Sequence, residues 1–246
     1  MVQGQCLVEV IVLKICAYLP IYKREGLLAE TLRRLKHQTL SFERIVTVGS
    51  CDEDKEIAKK FGVDYIGHEN HPLSDKIQAG VSYLRQFKPD AIMGIGSDDW
   101  VTSNWVEEVS KCLGEFDIIG ADHFYLFLVD SKPIQLIRYC YPSSRYGEPM
   151  GAGRFVSRRI LDKLDWRLYP RGFEWGLDGK SHSRMVALGA TYSLYRSDKA
   201  KILCPKGIQG QLTTWDHAIN SDRSKKIDDK HWISTNFPGV VMEGSV

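Results

Sequence analysis

Two adjacent carboxylates, Asp98 and Asp99, follow an apolar run from Ala91 to Ile95 that is interrupted by Gly94. The run reads as a buried strand, and Gly96-Ser97 lets the backbone turn sharply. A helical pattern with Val106, Val109 and Leu113 near one face comes next. Carboxylates at the C-terminal end of a parallel strand lie where open α/β sheets bind their ligands. Neighbouring acids repel unless a cation or a ligand's donors compensate, and hard divalent cations that carry substrate phosphates take such oxygen ligands. A metal–diphosphate site is the first chemical expectation. The competing role for the pair is to cap the helix and charge its first turn.

The preceding elements place more polar groups at the same level. Val8 to Tyr18 reads as a first strand, followed by the polar loop from Pro20 to Glu25 and a helix with Leu28, Leu32 and Leu35 on one face. Ile45 to Val48 is a second strand ending in Gly49-Ser50-Cys51-Asp52-Glu53-Asp54, and a helix with Ile57, Ala58 and Phe61 closes at Gly62. Val63 to Ile66 is a third strand leading to Asn70, and Ile77, Val81 and Leu84 mark the next helix. Strands alternating with helices of this length predict βαβ units and a mostly parallel sheet flanked by helices. Ser50 with Asp52, Asn70, and Asp98 with Asp99 would then open onto one sheet edge.

The second half is less regular. Ile118 to Val129 and Ile134 to Tyr141 have strand character, with a turn at Asp130–Pro133. A glycine-rich segment, Met150 to Arg154, precedes an expected helix carrying Val156, Ile160, Leu161 and Leu164. It lacks the spacing of a P-loop or a dinucleotide fingerprint. An aromatic-rich loop, Trp166 to Trp175, leads to Leu177-Asp178 and a helix closed by Gly189. Thr191–Tyr195 and Lys201–Leu203 read as short strands, and a charged tail covers about 221–246.

Composition bounds the partners. Across 246 residues, Lys and Arg number 33 against 31 for Asp and Glu, so charge makes no strong case for nucleic acid or an anionic membrane. Lys199, Lys201, Lys225 and Lys226 give modest basic clustering, a weak basis for nucleic acid as a partner. The 6 cysteines form no Cys-x-x-Cys pair, a pattern that suits reduced thiols in a cytoplasmic location. Glu9 and Lys14 break the N-terminal apolar run and no basic leader precedes it, so a strand is expected there rather than a signal peptide. No stretch has the length of a transmembrane helix.

In this order the motifs resemble the GT-A glycosyltransferases, in particular the family-2-like enzymes and their compact phage and viral versions. The resemblance runs from about Ile11 to His217. Pro20 to Glu25 is similar to the Pro-x-Tyr-Asn-Arg loop, and His37-Gln38-Thr39 to the Gln-Thr end of the family's first helix. Gly49 to Asp54 is similar to the Asp-Gly-Ser-x-Asp loop that contacts the nucleobase, and Asn70 to Gly80 to the Asn-rich helix start. Ile95 to Asp99 resembles the strand-end Asp-x-Asp-Asp motif, with Gly96 where the family has its first Asp. Leu177-Asp178 resembles the Glu-Asp pair that holds the general base, with Leu177 replacing the Glu.

The resemblance implies a single GT-A domain with a nucleotide-sugar half at about 1–115 and a smaller acceptor half at about 116–220. It implies a metal-dependent, inverting transfer of a sugar from a nucleotide-sugar donor, a UDP-sugar first among them, to a hydroxyl of a glycan or other acceptor, a modified DNA base included. Donor contacts would come from Pro20, Tyr22, Arg24, Ser50, Asp52, Asn70, Lys76, Ser97 and Asp98, with Arg154 and Lys206 adding charge at the diphosphate. Asp98, Asp99 and His217 would hold Mn2+ or Mg2+, and Asp178 would be the catalytic base. Trp166, Tyr169, Phe173 and Trp175 could offer stacking surfaces for an acceptor sugar, although an aromatic-rich stretch more often serves a core. A catalytically silent sugar-nucleotide or carbohydrate-binding module and a nucleotidyltransferase are the alternatives, and the Gly96 and Leu177 departures leave the silent module open.

Overall fold

The computed structural model describes residues 13–22, 24–129, 135–207, 222–229 and 231–240. Its first half repeats one unit. Strand β1 (Ile15–Pro20) feeds helix α1 (Glu25–Lys36), β2 (Arg44–Gly49) feeds α2 (Asp52–Lys60), β3 (Asp64–Gly67) feeds α3 (Leu73–Leu84), and β4 (Ala91–Gly94) follows. Leu28, Leu32 and Leu35 are buried on one face of α1, as their spacing dictates. Gly62 sits past α2 at φ +61°, the left-handed conformation that glycine adopts without strain.

The remaining elements are β5 (Trp100–Val101), α4 (Trp105–Ser110), β6 (Ile118–Ala121), β7 (His123–Leu128), β8 (Gln135–Cys140), β9 (Arg154–Ser157), α5 (Arg158–Lys163), α6 (Leu177–Ala187), β10 (Tyr192–Tyr195), β11 (Ile202–Lys206), β12 (Lys225–Ile227) and α7 (Trp232–Asn236). They complete a seven-stranded sheet in the order β10-β6-β9-β4-β1-β2-β3 and a five-stranded sheet in the order β12-β8-β7-β11-β5.

In the larger sheet β1 pairs parallel with β2 and β4, β2 with β3, and β6 with β10. Only β9 reverses, antiparallel to both β4 and β6. The expected mostly parallel sheet is therefore present, and its parallel strands all end at one edge: Pro20, Gly49, Gly67, Gly94, Ala121 and Tyr195. Because β9 runs the other way, it begins at that edge with Arg154, in register with Gly94.

Strand β4 is buried along its whole length, which explains its unbroken apolar run. Its glycine has a steric cause, since a Cβ at Gly94 would lie 2.3 Å from the Tyr18 hydroxyl oxygen.

Several sequence expectations change in detail. The first strand begins at Ile15 among the described residues and runs on to Pro20, while residues 8–12 lie outside them. The Ile118–Val129 stretch breaks at Asp122, so that β6 joins the larger sheet and β7 the smaller one. Val156 belongs to β9, not to a helix: Val156, Ile160 and Leu164 recur every four residues and mimic a helical face across a strand–helix junction. The charged stretch after residue 221 also has structure. Strand β12 pairs with β8, and Ile233 and Phe237 are buried against Leu27, Trp100, Tyr125 and Leu203.

Gly94→Ala is expected to lower stability by about 1–3 kcal/mol, because the added methyl must displace the buried Tyr18 ring. The check is a lower urea midpoint at an unchanged slope.

Candidate functional site

The turn after β4 carries Ser97, Asp98 and Asp99, and three elements hold it. From α1, the Thr31 hydroxyl donates to the Ser97 carbonyl at 2.8 Å. From the loop after β1, the Arg24 guanidinium lies 2.7 Å from Asp98 Oδ1. From β11 in the smaller sheet, Lys206 Nζ lies 2.6 Å from Asp98 Oδ2. Asp98 and Lys206 are both buried. Burial opposes ionisation of Asp98, but Lys206 and then Arg24 outweigh it and hold the carboxyl below its ordinary value. Lys206 is raised in turn: burial alone would lower it, and the charges of Asp98 and Asp99 more than offset that.

Asp99 behaves oppositely. Its Oδ2 accepts the Gly96 N–H at 3.0 Å, and burial with the neighbouring Asp98 charge pushes its carboxyl up. A Cβ at Gly96 would lie 2.6 Å from that oxygen. Glycine at position 96 is thus what lets Asp99 fold back onto the strand end. Asp98 and Asp99 have the hard oxygen donors that suit a divalent cation. No group of three or more His, Cys, Asp or Glu side chains is placed to hold a metal among the described residues. His217, expected as a third ligand, lies outside them.

At the ends of β2 and β3, Ser50 and Asp52 are exposed, with Asp52 in the first turn of α2. Asp54, which the sequence reading did not single out, is buried behind them, and neither carboxylate oxygen has a partner. Such a group is costly unless a ligand supplies donors. The acid-rich loop was the signal that could have pointed to it.

Lys76 is buried as well. Its ammonium donates to the Ile21 carbonyl and, at 2.6 Å, to Asn70 Oδ1, and burial pushes it down to about 8. Expected as a donor contact, it ties the loop carrying Pro20, Tyr22 and Arg24 to the segment after β3. A fully solvated lysine would gain nothing by pointing inward; one with two oxygen acceptors does.

Arg154, expected to add charge at the diphosphate, is held within the protein. It enters at the sheet edge on β9 and is buried against α6, where Nη1 donates to the Asp178 carbonyl at 3.2 Å and Nη2 to Ser181 Oγ at 2.6 Å. The Tyr18 and Tyr169 hydroxyls, 2.8 Å apart, sit in the same buried network. Arg154 thus orients the first turn of α6 and lies 3.9 Å from the Asp178 carboxylate.

Asp178 is the half-open member of this cluster, its side chain 46% exposed. The Tyr141 hydroxyl donates to its Oδ2 at 3.4 Å, and burial, then the Asp178 charge, pushes that phenol up. A Cβ on Gly151 would fall 2.1 Å from Asp178 Oδ1, so the glycine-rich segment is shaped around this carboxylate. Tyr141 had no signal in the sequence beyond its place in a strand-like run. Since β9 lies beside β4, the Asp98 turn follows one strand, and Arg154, which holds the Asp178 turn, begins the neighbouring one.

Comparison with known proteins agrees with this layout. The Glycosyl transferase family 2 model matches residues 16–134, the stretch from β1 to the start of β8. Over these residues the chain is similar to the family 2 glycosyltransferases. The glycosyltransferase GlyA of Streptococcus pneumoniae is 31% identical over 122 residues, which are 46% of this chain and 17% of GlyA. An uncharacterised protein of Methanocaldococcus jannaschii is 31% identical over 99 residues, covering 40% of this chain and 41% of the relative. The matches thus span less than half the length of these curated relatives.

Among solved structures, S. aureus TarS 1-349 in complex with UDP-GlcNAc superposes with a TM-score of 0.60 at 17% identity, over 80% of this chain and 60% of that one. The mannosyltransferase PcManGT from Pyrobaculum calidifontis, in complex with GDP-Man and Mn2+, superposes with a TM-score of 0.59 at 11% identity, over 82% and 59%. At these identities the likeness establishes the GT-A fold. No helix among the described residues is long and apolar enough to cross a membrane.

Lys206→Met is expected to cost about 3 kcal/mol, since it leaves Asp98 buried with half its compensation, and Lys206→Met/Asp98→Asn should recover part of that loss. The depressed Asp98 carboxyl contributes stability that is present above the ordinary aspartate value of about 3.9 and is lost as pH falls through its lower folded-state value. Asp98→Asn should therefore show a shallower acid limb in the dependence of unfolding free energy on pH.

Proposed function

We propose that the protein transfers a sugar from a nucleotide-sugar donor to an acceptor hydroxyl with inversion at the anomeric carbon. The observation that carries this reading is the pairing, at one sheet edge, of a cation-lined carboxylate turn with a half-exposed carboxylate on the adjoining strand's side. The leaving nucleoside diphosphate gains charge as the glycosidic bond breaks. Arg24 and Lys206 are cations already gathered at Asp98, and fixed charges aimed at a developing anion need no reorganisation during reaction.

A divalent cation held by Asp98 and Asp99 supplies Lewis acidity to the phosphate oxygens when bound. The neighbour with bound Mn2+ supports this, without distinguishing Mn2+ from Mg2+. Ser50 and Asp52, exposed after β2, are the groups that would meet the nucleobase.

An acceptor hydroxyl is a weak nucleophile, so a carboxylate must take its proton as it attacks. Asp178 is open enough to meet the acceptor and is held on its other side by Tyr141 and Arg154. In this reading Arg154 keeps the base aimed by holding the first turn of α6. Attack from the side opposite the diphosphate is what makes the transfer inverting.

Calorimetric titration of UDP and GDP, with and without Mn2+, tests the donor half: binding of one nucleotide should be lost in Asp98→Asn. Asp178→Asn should retain that binding while transfer falls by about 10²–10⁴-fold, the usual share of a general base. Binding of neither nucleotide by the folded wild-type chain would refute the proposal.

A further inference from the structure

The aromatic-rich stretch before α6 divides into two parts. Trp166 and Tyr169 are core residues, with Trp166 only 3% exposed and its indole N–H donating to Asp162 Oδ1 at 2.8 Å. Trp175, by contrast, is 70% exposed.

Its exposure is not that of a loose loop. Immediately before it, Phe173 N donates to Ser74 Oγ at 3.0 Å and Ser74 N to Phe173 O at 2.9 Å. Leu73 N donates to Glu174 Oε2 at 3.2 Å, and His71 Nδ1 lies 3.1 Å from Glu174 Oε1. Immediately after it, Gly176 turns the chain at φ +67° into α6, with Asp178 in the first turn. The backbone on both sides of the indole is thus fixed, by α3 on one side and by α6 on the other.

A second ring, Tyr146, is 65% exposed, with the Arg223 guanidinium 4.5 Å over it. Its neighbour Arg145 stacks on the Tyr141 ring at 3.7 Å and lies 3.6 Å from where a Cβ on Gly179 would be. Asp178 thus follows, by three residues, an exposed indole whose backbone is held on both sides.

We infer that the acceptor is a saccharide whose ring stacks on Trp175. This rests on the glycosyl-transfer reading and names its acceptor class. A pyranose has an apolar face of C–H groups and a rim of hydroxyls; a fixed indole meets the first, and a neighbouring carboxylate accepts from the second. Nucleic-acid bases also stack on aromatic rings, but their backbone calls for a basic groove, and the chain's net charge is only +2.

The test follows the Trp175 indole N–H resonance in the full chain, assigned as the signal lost in Trp175→Phe. Methyl glycosides of glucose, galactose, mannose and N-acetylglucosamine, their β-1,4 and α-1,4 disaccharides, and a single-stranded DNA 10-mer are titrated in the presence of UDP and then of GDP. At least one saccharide should shift the signal and saturate. Trp175→Ala should weaken its affinity about tenfold, while Trp175→Phe should recover most of it, which a purely structural role for the indole would not predict. Thermal melting of each variant verifies folding.

The inference is overturned if no saccharide moves the signal, if Trp175→Ala binds as tightly as wild type, or if only the oligonucleotide binds, with a steep salt dependence. Nucleotide binding in the same samples separates the two ideas. A chain that binds UDP or GDP but no saccharide at Trp175 refutes the acceptor class alone; one that binds a saccharide there but neither nucleotide supports the subsite and refutes the transfer reading.

Discussion

A buried carboxylate between two buried or half-buried cations holds this molecule's two sheets to a common centre. Asp98 comes from the turn after β4, Arg24 from the entrance to α1, and Lys206 from β11 of the smaller sheet. Removing any one leaves the others with charge they cannot shed to water, which is why such clusters are far costlier to break than to replace whole. The smaller sheet also meets the larger unit through hydrophobic packing, as Trp100 and Leu203 pack with Leu27 of α1. That packing is non-directional; the ion cluster gives it an orientation.

Arg154 plays the matching part on the other side of β4. Both arginines are cations at the sheet edge, and sequence alone offered them as equivalents. Their surroundings separate them. Arg24 sits at the mouth of α1 and points at a carboxylate whose neighbours are also charged, whereas Arg154 is enclosed by tyrosines and backbone oxygens of α6. Arg24 answers a carboxylate's charge, whereas Arg154 holds the start of a helix.

The parallel half of the fold was legible because each of its elements carries its own period: the leucines of α1 every three or four residues, the unbroken apolar run of β4, the glycine after α2. The second half was less so, because its strands are short and change partners. A break at one residue, Asp122, sends β6 and β7 to different sheets, and no local pattern announces such a choice. Asp98, Asp99 and Asp178 could be picked out by residue type and order. The reorientation of Lys76 and Arg154 could not, since burial of a long cation depends on which distant carbonyls happen to face it. Asp54 was hidden by its neighbours: three acids in four residues look alike until the helix turns one of them inward.

The reversed direction of β9 has a further consequence. The edge residues around Asp98 lie on segments that leave the sheet, so each of those segments has its preceding strand as anchor. The residues around Asp178 are reached from segments that arrive at the sheet or precede a helix, and their anchors lie downstream. The two groups share a space but little chain. The anchoring of each group is therefore set by strand polarity rather than by a domain boundary.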